Sequence, residues 1–153
     1  MLIFTNGIEY IVKDRHNKDF KKTISMLSKL KALHRESTPG ANKWMTLVGE
    51  YMIKSKKNTL GKVWNEKFAI HDIIAFDGVQ LVGKTNDERQ SLLDKLYGTS
   101  DTPIGNAYID KFLYATEMED IYRMKNFYGN FRELYDEMVK TDMYEGLVLK
   151  KKS

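Results

Sequence analysis

The sequence predicts an α+β domain of mostly antiparallel strands flanked by helices. Three observations carry that expectation: an Asn-Gly pair between two short apolar runs, two later segments dense in β-branched and aromatic residues, and two Thr-x-x-Glu tetrads that each precede a helical pattern. A length of 153 residues suits one domain, and no repeat, low-complexity tract or linker divides it.

At the N-terminus, Leu2 to Val12 sets Asn6-Gly7 between apolar runs. Both residue types tolerate positive φ, so the pair signals a hairpin and the chain opens inside a sheet. A chain that opens this way leaves an edge strand unless something upstream pairs with it, which points to a missing beginning. From Asp19 to about Glu36, the residues Ile24, Leu27, Leu30 and Leu33 recur every three positions between lysines, the pattern of one face of an amphipathic helix. Ser37-Thr38-Pro39-Gly40 stops that helix. Trp44 to Ile53 and Phe68 to Phe76 then read as strands, with Asp77-Gly78 as a turn.

Thr85 to Glu88 has the capping-box spacing, in which a threonine hydroxyl and a glutamate satisfy the first helical amides, so a helix should run to about Tyr97. The signature recurs at Thr116 to Glu119, ahead of Ile121, Met124, Phe127, Phe131, Leu134 and Met138. That predicts a second, longer helix continuing through Gly129, with a polar loop between the two. Tyr144 to Lys150 reads as a short closing strand.

Composition narrows the function classes. Basic residues outnumber acidic ones by 25 to 21, and the net charge of +4 is compatible with a polyanionic partner such as nucleic acid or nucleotide phosphate. The lack of cysteine excludes disulfides and thiolate metal sites, and His16, His34 and His71 are not spaced as zinc ligands. The N-terminal apolar stretch is too short for a signal peptide, and no run approaches the ~20 apolar residues of a membrane span. The chain therefore reads as cytoplasmic.

Two carboxylates stand in or beside apolar strands, where desolvation is costly unless a cation or hydrogen-bond donors compensate it. In Thr46-Leu47-Val48-Gly49-Glu50-Tyr51 the glycine leaves room for close approach of a ligand or backbone, and Glu145-Gly146 inverts that order. The alternative for both is a strand-end carboxylate in solvent or beside a lysine. A third element, Phe68 to Gly78, places His71-Asp72 inside an apolar strand; the alternative for His71 is a core residue bonded to Asp72.

Taken in order, these elements resemble the collinear motifs of the covalent nucleotidyltransferases, the superfamily of ATP-dependent DNA ligases, RNA ligases and mRNA capping guanylyltransferases. Thr46 to Tyr51 is similar to the Leu-Asp-Gly-Glu element, with Val48 where the family mostly has aspartate. Residues 68 to 78 resemble the aromatic-Asp-Ile element, with His71 in place of phenylalanine or tyrosine. Glu145 to Lys150 resembles Glu-Gly-Leu-Val-x-Lys, and Lys13 to Asn17 with Phe20 resembles the Asp-Arg-x-Asn segment after the nucleophile strand. The family's Lys-x-Asp-Gly motif, which carries the nucleophilic lysine, occurs nowhere in these residues. Lys13 stands beside the arginine position instead of one strand earlier, so no catalytic lysine is assigned, and the expected fold is an incomplete adenylation domain.

The resemblance implies a chemistry. In the family a lysine amine attacks the α-phosphorus of ATP, or of GTP in capping enzymes, and the nucleotide passes to a 5′-phosphorylated end of nucleic acid such as nicked DNA or RNA. Charge neutralisation dominates such transfers. The resemblance assigns Arg15, Glu50, His71 and Lys150 to the nucleotide, with Arg15 on ribose or phosphate, Glu50 on the ribose hydroxyl, His71 on the base and Lys150 on the α-phosphate. It assigns Glu145 and Glu50 to magnesium.

Three functions compete: a ligase adenylation-domain fragment, a capping guanylyltransferase fragment, and an inactive nucleotide- or nucleic-acid-binding remnant. Glu145 to Lys150 is ligase-like, since capping enzymes more often carry Asp-Gly-Leu-Ile there. Ile11 to Phe20 and His71 to Ile74 are equally close to a guanylyltransferase.

Overall fold

The computed structural model describes residues 1–14, 16–19, 27–52, 56–57, 63–64, 67–101, 111–140 and 150. Its first two strands, β1 (Leu2–Thr5) and β2 (Tyr10–Lys13), form the expected antiparallel hairpin, with Thr5 opposite Tyr10. The connection is four residues long, not the two of an Asn-Gly turn. The Asn6 Oδ1 accepts from the amides of Ile8 and Glu9, and the Thr5 hydroxyl donates to Glu9 O, so side chains close a wider loop in which Gly7 takes positive φ.

Helix α1 (Leu27–Lys31) falls within the span predicted as helical and ends sooner than Glu36. After it the amides of Ala32, Leu33 and His34 turn to carbonyls three residues back. His34 Nε2 then lies 2.7 Å from Lys43 O, and the Glu36 carboxylate accepts from the Lys43 amide. Residues that would extend the helix instead staple the loop leading to the next strand.

Strand β3 (Met45–Met52) pairs antiparallel with β1 on one side and with β6 (Lys67–Phe76) on the other, where the sequence places both long strands. Between them lies a short antiparallel pair, β4 (Lys56–Lys57) with β5 (Val63–Trp64). Asp77 and Gly78 both adopt positive φ in the turn to β7 (Val79–Gln80), which folds back on β6. Helix α2 (Asn86–Tyr97) carries the full capping box: Glu88 N donates to Thr85 Oγ1, and Thr85 N donates to the Glu88 carboxylate.

The second predicted helix is not formed over most of its length. Leu113–Ala115 is strand β8, Ile121–Met124 is strand β9, and only Phe131–Met138 is helical, as α3. The Thr116 hydroxyl accepts from Met118 N and donates to Ile121 O, holding the β8–β9 turn where a capping box was expected. Ile121, Tyr122 and Arg123 pair in parallel with Phe68, Ala69 and Ile70, so tertiary pairing overrides the helical spacing. Gly129 and Asn130 at positive φ close off any helix running through them. The predicted polar loop thus includes a strand. The predicted closing strand, Tyr144 to Lys150, lies outside the described residues apart from Lys150, which is exposed.

The sheet runs β2-β1-β3-β6-β9-β8 with β7 on β6, antiparallel except at β6–β9. The result is an α+β unit with a mixed, mostly antiparallel sheet. One register row carries Val12, Ile3, Leu47 and Ile73 across four strands, and all four are buried. They join Leu30 and Leu33 of the α1 region and Leu93 and Tyr97 of α2 in a single core cluster. Each such burial contributes about 1.5–3 kcal/mol. Tyr97 locks the two helical regions together, its hydroxyl donating to Leu33 O at 2.6 Å. Burial raises the Tyr97 phenol well above its ordinary value, so it remains a donor.

Candidate functional site

Glu50 and His71 meet on neighbouring strands. The β3–β6 register passes from Gly49 opposite Ile70 to Val48 opposite Asp72, which leaves His71 as the extra residue of a β-bulge. Its Nε2 lies 3.7 Å from the Glu50 carboxylate, and both side chains are partly exposed, at 32% and 54%. The pair is thus reachable from solvent. A bulge re-aims the side chain it carries, and here it turns His71 toward the neighbouring strand's carboxylate.

His71 and Asp72 diverge. Asp72 accepts from Arg89 Nε of α2 at 2.9 Å and from the Ile73 amide, while Gln90 of the same helix donates to the His71 carbonyl. His71 is therefore not a core residue bonded to Asp72. Gly49 is required for packing: a Cβ there would lie 2.2 Å from Phe68 Cζ and 2.6 Å from Ala69 O. The close approach expected at this glycine is made by the protein's own ring and backbone.

The remaining sequence-predicted residues are distributed differently. Arg15 and Glu145 lie outside the described residues, and Lys150 is exposed. Val48 is half-buried, in a register row with Lys13, Leu2 and Asp72. Lys13 is ion-paired with Asp19 at 2.5 Å on the sheet's β2 edge.

Among the described residues no group of three or more metal-ligating side chains converges. A magnesium ion takes one or two carboxylates and completes its octahedron with water and substrate phosphates. The accessible Glu50 carboxylate fits that donor set as a single protein oxygen ligand.

Sequence reasoning missed the polar cluster behind His71. Arg123, inside the apolar run Ile121-Tyr122-Arg123-Met124, is almost wholly buried. Its Nη1 donates to Asp94 at 2.7 Å and to Gly98 O at 2.8 Å, and its Nη2 reaches Gln90 Oε1 at 3.4 Å. A charge within an apolar run is the signal that singled out Glu50, and it applies equally here. Asp120 was also missed: at positive φ after β8, it binds the ammonium groups of Lys29 and Lys67 and so ties α1 to β6. Burial works to raise its carboxyl, but the two lysines outweigh that and hold it below the ordinary value.

No protein-family model matches the chain, and no curated protein or solved structure shows significant similarity to it. Among the described residues no helix is long and apolar enough to cross a membrane.

Proposed function

We propose that the chain is a nucleotide-binding part of a covalent nucleotidyltransferase of the ATP-dependent polynucleotide ligase type. The observation that carries this reading is the 3.7 Å approach of His71 to Glu50, two residues that the motif resemblance assigns independently to one bound nucleotide. In this reading the His71 imidazole stacks on the base, as flat side chains do in nucleotide recognition. Glu50 accepts from a ribose hydroxyl or ligates magnesium through its exposed carboxylate, and Lys150 meets the α-phosphate. Arg15 and Glu145 are assigned by the resemblance alone. Magnesium, when bound, would neutralise phosphate charge.

The Lys-x-Asp-Gly motif is absent from these 153 residues, so the activity proposed for this chain is binding. Transfer to a 5′-phosphorylated DNA or RNA end belongs to a protein that supplies the lysine. That absence equally favours a second reading, an inactive binding remnant. Titration of the chain with ATP and with GTP, in magnesium, tests the proposal. Preference for ATP supports the ligase reading, preference for GTP the capping enzyme, and no binding of either sinks both. Intact mass after incubation should show no nucleotide adduct, and an adduct on Lys13 would contradict the assignment.

A further inference from the structure

Behind the bulge that turns His71 toward Glu50, helix α2 reaches the His71 backbone through Gln90. Gln90 is buried on α2, and its Nε2 donates to the His71 carbonyl at 3.0 Å. Its Oε1 faces Arg123 Nη2 at 3.4 Å. A carbonyl can only accept and a guanidinium can only donate, so these two partners fix which end of the amide points each way. Arg123 is itself anchored by Asp94 and by the Gly98 carbonyl. A polar chain therefore runs from α2 and β9 to the backbone of the residue that has no register partner on β3.

We propose that Gln90 is a positioning residue for the nucleotide site: by holding the His71 carbonyl it sets the bulge, and through the bulge the direction of the His71 ring relative to Glu50. The proposal rests on the nucleotide-binding reading for its functional consequence, but not for the placement of the ring. Gln90 touches neither the proposed base nor the proposed metal position. Its contribution is to remove alternative bulge conformations before a ligand arrives, so that less ordering is left for the binding step.

Two substitutions in the full chain separate this role from simple packing. Gln90→Glu preserves shape and, as a carboxylate ionised beside the Arg123 guanidinium, keeps an acceptor for Arg123 but has no proton to donate to the His71 carbonyl. Gln90→Leu removes both bonds. The reporter is the His71 ring Cε1–H resonance, assigned by substituting each of the three histidines in turn, with His16 and His34 as internal controls. In both variants the His71 resonance should shift or broaden while those of His16 and His34 stay in place, and ATP affinity should fall by about tenfold, the scale of one lost interaction. A His71 resonance that superimposes on wild type in either variant overturns the proposal, because the ring then does not depend on the Gln90 donor. Should Gln90→Leu fail to fold, Gln90→Glu decides alone. Wild-type protein that binds no ATP would overturn the nucleotide reading, and the His71 resonance would still report on Gln90.

Discussion

Phe68 closes over Gly49 so tightly that a single added methyl group would sit 2.2 Å from the ring's Cζ. Glu50 therefore follows, within β3, a point where the backbone is pressed against β6 and cannot accept a side chain. Gly49→Ala should force Phe68 out of its rotamer and destabilise the protein by about 1–3 kcal/mol, the usual range for overpacking. Urea unfolding measures this directly. An unchanged midpoint would mean that Phe68 yields freely and that Gly49 is not fixed by packing.

Arg123 is buried and Asp94 half-exposed, which makes the pair asymmetric. Asp94→Ala removes the carboxylate and leaves the guanidinium with the Gly98 carbonyl and Gln90, a loss of about 1–3 kcal/mol for a buried donor short of a partner. Arg123→Met should make the further loss of Asp94 nearly harmless. The double mutant should cost clearly less than the sum of the single changes, and strict additivity in a double-mutant cycle would argue against the pairing.

The β8–β9 turn offers a test of the corrected strand assignment. Thr116 Oγ1 serves Met118 N and Ile121 O at once, so Thr116→Val leaves a buried carbonyl and a half-buried amide short and should cost about 1–2 kcal/mol. Amide exchange should show the Ile121, Tyr122 and Arg123 amides protected together with β6. Protection at the spacing of a continuous helix from Thr116 to Met138 would contradict the strand.

Acid stability should depend on Asp120. The Lys29 and Lys67 ammonium groups hold its carboxyl below its ordinary value against the opposing effect of burial, so its contribution to stability is fully present above the unfolded value and is lost as pH falls through the lower folded value. Denaturant unfolding of wild type and Asp120→Asn across the acid range should therefore show a constant gap above the unfolded value that narrows below it. A gap that widens on acidification would reverse the sign and exclude the lysine clamp.

Much of the fold is legible in local chemistry. The Thr85 capping box, the two long strands and the opening hairpin follow from residues that act on their own backbone or neighbours. What the sequence hides is long-range. Ile121 to Met124 becomes a strand because Phe68 to Ile70 offers a parallel partner far away in the chain, and helical spacing carries no trace of that. Glu50 and His71 were legible as candidates, whereas their approach depends on a bulge that no local pattern announces. Arg123 was visible as a charge in an apolar run, but its partners Asp94, Gly98 and Gln90 come from another element.

If Glu50 and His71 bind one nucleotide, as proposed, titration calorimetry of the chain with ATP in magnesium will detect it, with His71→Ala and Glu50→Gln measured alongside. The wild type should bind saturably, and binding should weaken by about tenfold or more in each variant, the scale of one lost stacking or charge-assisted contact, while far-UV circular dichroism stays unchanged. Wild-type binding that survives both substitutions, or no binding by a folded wild-type chain, would contradict the proposal.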